Sequence, residues 1–127
     1  MRLNEKLLEI SDLTLNFYTR KGIARILDGV DLSLKRGEIH GLIGESGSGK
    51  TVTALTILNL LSQPPAKIES GSIHFGTVDL LRLSSNELRR IRGAKIGMIF
   101  QEPSSALDPF ATIGGQIAGV MNLERER

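Results

Sequence analysis

Gly44-Glu45-Ser46-Gly47-Ser48-Gly49-Lys50-Thr51 has the spacing G-x-x-x-x-G-K-S/T, in which successive backbone N–H groups form a concave anion nest that opens onto a helix N-terminus. The glycines at 44, 47 and 49 are expected to take positive φ and let the backbone approach phosphate oxygens where a Cβ would obstruct it. Lys50 is placed to reach β- and γ-phosphates as a point charge, and Thr51 to offer its hydroxyl to Mg²⁺, with the helix dipole adding its positive end. A glycine-rich turn matches this pattern by accident about once in a hundred chains. The setting argues against accident here, because EIHGLIG (38–44) reads as a buried strand feeding the loop and TVTALTILNLL (51–61) as a buried helix leaving it. The reading is a nucleoside triphosphate site.

Working outward, the run LLEISDLTLNF (7–17) alternates apolar and polar residues, with Leu13, Leu15 and Phe17 on one face, as a half-buried strand requires. A loop, YTRKGIA, separates it from a second alternating run, RILDGVDLSL (25–34), in which Val30, Leu32 and Leu34 share a side. This pair is expected to form an antiparallel layer before the main core. On the other flank, Pro64 and Pro65 are expected to end the helix that follows the loop. Ser72 to Phe75 predicts a short strand, with a turn near Gly76. Ser84 and Glu87 have capping-box spacing with Leu83 and Leu88 at staple positions, so a helix is expected from Ser84 to about Gly93. KIGMIF (95–100) predicts another apolar strand, closed by the polar segment QEPSSALDP. From Thr112, Ile113, Ile117, Val120 and Met121 recur at helical spacing, which Gly114, Gly115 and Gly119 weaken.

Composition narrows the alternatives. The chain has 127 residues, 40% hydrophobic and 24% charged, with 16 basic against 14 acidic side chains, a balance too even to argue for nucleic acid or an acidic lipid surface. No cysteine is present, which excludes disulfides, thiolate metal sites and thiol chemistry within these residues. The two histidines, His40 and His74, lack ligand spacing and read as strand residues. The N-terminus lacks the apolar stretch of a signal peptide and no segment approaches the length of a membrane span, so the expected location is the cytoplasm, with membrane association only through a partner.

GESGSGKT after RGEIHGLI, preceded by LDGVDLSLKRGE, resembles the ATP-binding subunit of ABC transporters. SGSIHFGTVDLLRLSSNELRRIRG, IGMIFQEPSSALDP and TIGGQI are similar to the oligopeptide, dipeptide and nickel import subfamily, so the resemblance covers nearly the whole chain. It implies an α/β fold, the N-terminal part of a P-loop NTPase core with an antiparallel β layer and the start of a helical subdomain. The divisions would be a lead-in over about 1–37, the P-loop core over about 38–101 and the Q-loop with the start of the helical subdomain over about 102–127. It implies Gln101 as the glutamine-loop residue that completes Mg²⁺ coordination and orients water, against the plainer reading of a polar strand terminus. It also implies an adenine-stacking aromatic residue before the second strand. Tyr18 is the first candidate, since alternation assigns Phe17 to the core face and leaves Tyr18 on the other; Phe17 is the second. The implied ligands are ATP and Mg²⁺. The implied partners are transmembrane permease subunits on the inner face of a membrane, a second ATP-binding subunit and, indirectly, a solute-binding protein, with no nucleic acid.

The same resemblance calls for an apolar strand ending in aspartate and glutamate, a signature loop and a switch histidine, none recognisable here. TIGGQ comes too soon after Gln101 to be the signature, and Glu102 lacks the preceding aspartate of a catalytic glutamate. The chain is therefore expected to be truncated and to bind nucleotide with negligible hydrolysis. A small P-loop kinase or GTPase, a non-transport ABC ATPase, and an inert or poorly folded module with an incomplete sheet remain the competing readings.

Overall fold

The computed structural model describes residues 6–125, so the first five residues of the lead-in and the last two of the chain lie outside the described residues. Two compact units are present, one ending at Leu83 and the other beginning at Ser84.

The first unit is built on two long strands, β1 (Lys6–Thr19) and β2 (Gly22–Lys35). Only Arg20 and Lys21 separate them, and Thr19 pairs with Gly22. The connection is thus a two-residue hairpin, much tighter than the loop expected over 18–24, because pairing continues through Tyr18↔Ile23 and Phe17↔Ala24. β3 (Ala66–Phe75) pairs antiparallel with β1 along most of its length, and a short β4 (Val78–Asp79) completes the order β2-β1-β3-β4. The strand expected at 72–75 therefore starts six residues earlier, where Ser70 and Gly71 interrupt its alternation.

Alternation in β1 slips by one residue and yet keeps one face buried. Leu8 and Ile10 are inside on even positions, Leu13 and Leu15 on odd ones. The slip is a bulge at Asp12, whose φ of 48° turns the chain back onto its buried face. Asp31 Oδ1 accepts the Asp12 amide at 2.9 Å, and Thr14 Oγ1 accepts the Gly29 amide at 3.1 Å, so the irregularity is tied across to β2. On the other side, Gly71 (φ 100°) crosses β1 so closely that a Cβ would stand 2.6 Å from the Asp12 carbonyl oxygen and from Leu13 Cα. Ile73 and Leu27 join the core from β3 and β2. Each such buried Leu or Ile contributes roughly 1.5–3 kcal/mol.

Helix α1 (Lys50–Ile57) ends well before Pro64, which corrects the expectation that the prolines stop it. The stop is local: Asn59 takes φ 49°, its amide donates to the Thr56 carbonyl, and the Leu60 amide donates to the Leu55 carbonyl at 2.9 Å. This is the paired C-terminal motif in which a left-handed residue satisfies the last carbonyls.

The buried strand expected at 38–44 does not form. Residues 38–44 have no strand conformation, and Ile39 and Ile43 are 100% and 96% exposed. An apolar run becomes a central strand only when neighbouring strands satisfy its backbone on both edges, and the sheet of this unit is antiparallel and does not include it. What these residues do make is a closed turn, in which Glu38 Oε2 accepts the Lys35 amide at 2.7 Å and His40 lies 3.4 Å from the other carboxylate oxygen.

In the second unit, α2 (Ser85–Ile91) carries the expected capping box: Ser84 Oγ accepts the Glu87 amide, and Glu87 accepts the Ser84 amide at 2.8 Å. Leu88 and Ile91 are its buried face. The strand expected at 95–100 is likewise not formed; a lone parallel bridge joins Arg92 and Ile96, and Ile99 is 90% exposed. The same shortage of ladder partners explains it. After a 3₁₀ turn (Pro103–Ala106), Gln116 ties down the segment before α3 (Ile113–Arg125), donating to the Asp108 and Ala111 carbonyls and accepting the Asp108 amide.

Candidate functional site

The loop 44–51 closes on itself around its lysine. Lys50 Nζ donates to the carbonyls of Gly44 and Glu45, both at 2.6 Å, and to Ser48 Oγ at 3.2 Å. The ammonium thus sits in the mouth of the loop. Ser48 turns back with its amide on the Glu45 carbonyl at 3.2 Å. Gly47 (φ 82°) and Gly49 (φ 91°) have the positive φ expected of them. Gly44 does not; its requirement is space, since a Cβ there would meet Ser48 Oγ at 2.7 Å.

Gly49 is the N-cap of α1, and no side chain caps the helix. Lys50, Thr51 and Val52 therefore direct amides out of the first turn with no i−4 carbonyl to meet them, whereas Thr53 already donates its amide to the Gly49 carbonyl at 2.8 Å. A helix start with free amides, a lysine ammonium beside it and the exposed Thr51 is a donor array for a polyanion. The loop is braced from below by β2: a Cβ on Gly49 would stand 2.8 Å from Leu27 Cδ2 and 3.2 Å from the Ile26 carbonyl oxygen. An open pocket of about 260 Å³ beside the loop is lined by Leu27, Val30, Leu42, Ile43 and Lys50.

Tyr18 belongs to the same unit. It is 41% exposed, while Phe17 is half-buried, in keeping with the alternation. Its hydroxyl donates to Glu69 Oε1 at 2.5 Å, and Lys67 Nζ, 2.9 Å from Glu69 Oε2, lies 5.6 Å from the ring centroid. The Tyr18 hydroxyl, then the Lys67 ammonium, lower the Glu69 pKa, and Glu69 in turn raises that of Lys67. Sequence reading missed Lys67 and Glu69, which reach Tyr18 only through the β1–β3 register, where Asn16 faces Lys67 and Phe17 faces Ala66. Gln101 is exposed at a bend in the second unit.

Among the described residues no group of three or more His, Asp or Glu side chains converges as a metal site, and no helix is long and apolar enough to cross a membrane. A divalent ion at the loop would rely on hydroxyl, amide and phosphate oxygens, a donor set suited to Mg²⁺.

Comparison with known proteins places this geometry in context. Residues 27–126 match the family model described as ABC transporter. A probable peptide ABC transporter ATP-binding protein of Sinorhizobium fredii is 44% identical over 117 residues, 92% of this chain and 35% of the relative. The dipeptide transport ATP-binding protein DppD of Bacillus subtilis is 45% identical over 113 residues, 89% of this chain and 34% of the relative. Among solved structures, a dimeric bacterial ABC transporter cassette superposes with TM-score 0.77 at 27% identity, covering 91% of this chain and 47% of that one. A post-hydrolysis state of an ATP-binding cassette, bound to ADP and Pi, superposes with TM-score 0.70 at 30% identity, covering 83% and 42%. The chain spans about a third of the length of these curated relatives.

Proposed function

The chain belongs to the ABC transporter family, and from that membership we propose that it provides the nucleotide-cradling part of an ATP-binding subunit of a peptide-type importer. The observation that carries the proposal is the Lys50 ammonium held by the Gly44 and Glu45 carbonyls at the mouth of a loop whose helix start offers free amides. The names of the relatives, which are peptide and dipeptide transport ATP-binding proteins, support the solute class.

In this reading the amides of Gly47, Gly49, Lys50 and Thr51 donate to the β-phosphate, and Lys50 exchanges its loop carbonyls for β- and γ-phosphate oxygens. Such an exchange keeps the ammonium solvated by oxygen throughout and needs little rearrangement. Thr51 would offer its hydroxyl to Mg²⁺, and Gln101 keeps the role that the family resemblance implies, an oxygen for the metal and a guide for the attacking water. When bound, MgATP supplies the transferable phosphoryl group and the metal's charge. Tyr18 stacks on the adenine. β2 touches the loop at Ile26 and Leu27 and pairs with Tyr18 at Ile23, roughly 10 Å apart along the strand at about 3.3 Å per residue; Phe17, which shares the core face with Leu27, is the second candidate for the stacking role.

The functional divisions follow the lead-in over about 1–37, the core over about 38–101 and the segment from 102 onward. The partners are membrane permease subunits and a second ATP-binding subunit, with the subunit held peripherally on the cytoplasmic face. The test is Mg-ATP binding by this chain, measured by titration calorimetry and thermal melting. Saturation at a hundred times Kd should stabilise the folded chain by about 2.7 kcal/mol, and Lys50→Ala should weaken binding at least tenfold. Unchanged affinity in Lys50→Ala would overturn the proposal.

A further inference from the structure

We infer that residues 30–35 of β2 pair antiparallel with the same residues of a second copy of this chain, about a two-fold axis at Ser33 that sets Asp31 of each copy opposite Lys35 of the other.

β2 stands at the end of the order β2-β1-β3-β4, so one of its edges has no strand beside it. Its apolar residues register the gap. Leu32 and Leu34 pair with Ile10 and Leu8 of β1 and share their face of the sheet. Yet Ile10 and Leu8 are buried, whereas Val30, Leu32 and Leu34 are only half-buried. What β1 has and β2 lacks is a strand on its second side. The far end of the sheet offers a copy little to pair with, because β4 has two residues and β3 is interrupted at Gly71 (φ 100°). Within β2 the regular alternating part is 30–35, since the buried parity changes between Leu27 and Val30, where Gly29 takes φ 59°. An edge of this kind is matched by the same edge of a copy, and that pairing is isologous and closes at two chains.

Charge selects the register. With Ser33 on the axis, Asp31 faces Lys35 at both ends of the ladder and Leu32 faces Leu34, so opposite charges and apolar side chains meet across the strands. Moving the axis one residue either way sets those charges against Ser33, Gly29 or Gly37 instead. Both charges are available. Among the described residues neither Asp31 nor Lys35 is in an ion pair. Asp31 gives one carboxylate oxygen to the Asp12 amide, and Lys35 faces another cation, Lys6, across its own strand pair. The Lys35 amide and carbonyl are already met by Glu38, which ends the ladder at that residue.

Sedimentation and amide exchange test the pairing, both without nucleotide so that association driven by nucleotide does not contribute. The wild type should dimerise with rising concentration, and the edge amides of residues 31–34 should become at least tenfold better protected as it does. Lys35→Glu sets a carboxylate against Asp31 twice in the dimer. It should raise the dimer Kd at least tenfold and abolish the concentration-dependent protection, and added salt should narrow the difference from wild type. Lys35→Arg should dimerise as the wild type does. In the monomer Lys35→Glu replaces a like-charge pair with an opposite one at Lys6, so its melting temperature should hold or rise, and lost association then cannot come from a weaker fold. If Lys35→Glu associates and protects residues 31–34 like the wild type, the pairing is overturned. It is overturned equally if wild-type protection at 31–34 does not change with concentration, since any association then uses another surface, or if Lys35→Glu melts several degrees lower, since Lys35 then serves the fold.

Discussion

At Gly49 two demands meet in one residue. Its φ of 91° lies where a side chain is strained, and the space beside its Cα is filled by Leu27 Cδ2 and the Ile26 carbonyl oxygen. Leu27 can yield by rotation; the backbone carbonyl of β2 cannot. Gly49→Ala is therefore expected to cost about 2 kcal/mol, from left-handed strain and the carbonyl contact together, and to lower ATP affinity tenfold or more because the first amides of α1 tilt away from their common focus. Melting and nucleotide titration of the same variant check both effects. Gly47 is the control: it shares the positive φ, but nothing lies within 4 Å of a Cβ placed there. Gly47→Ala should pay the strain alone, with a smaller loss of melting temperature. The loop could be read from sequence because its geometry is encoded within eight consecutive residues. The setting of Tyr18 could not, since Glu69 lies 51 residues away and arrives through strand pairing.

Among elements, the boundary between legible and illegible follows the range of the interactions. The capping box of α2 was legible because Ser84 and Glu87 satisfy each other within one turn. The end of α1 was local too, yet Asn59 is a quieter signal than the prolines beyond it, and the left-handed residue decided the boundary. The alternation of β1 and β2 was visible, but the slip at Asp12 was not, because it depends on Asp31 and Thr14 each accepting a backbone amide across the pair. Residues 38–44 and 95–100 have a strand's composition without a ladder in their own unit. The capping box also makes α2 sensitive to acid. The Ser84 hydroxyl first, then the Ser84 amide, lower the pKa of Glu87. The unfolded chain therefore binds that proton more readily, and the carboxylate's contribution is complete above the unfolded value near 4.3 and lost as pH falls through the lower folded one. Protection of the Ser84 amide, its exchange rate taken relative to the intrinsic rate at each pH, should fall over that interval. Glu87→Gln keeps a capping acceptor without a titrating group, so its protection should stay flat there; because Glu38 and Glu69 titrate in the same direction, the difference between variant and wild type isolates Glu87.

For the whole molecule, the decisive quantity is apolar surface left in water. Ile39 and Ile43 in the first unit are almost fully exposed, as are Ile99 and Phe110 in the second, and α3 presents Ile113, Ile117, Val120 and Met121 at more than half exposure. Monomeric chains rarely leave such surface uncovered, and backbone without ladder partners beside it is a template for another chain. The chain should therefore self-associate with rising concentration, observed as an increase in weight-average mass by sedimentation or light scattering. Ile39→Lys combined with Ile43→Lys removes two of the most exposed positions and adds like charge. That double variant should shift association to higher concentration while its melting temperature stays within about 1 °C, because neither side chain contributes buried area and surface changes stay within roughly 0.5 kcal/mol. If its association matches the wild type, residues 38–44 are not the adhesive segment and α3 with Phe110 becomes the surface to alter. If its melting temperature instead falls by several degrees, those isoleucines are buried in solution, and residues 38–44 pack as the central strand that their composition first suggested.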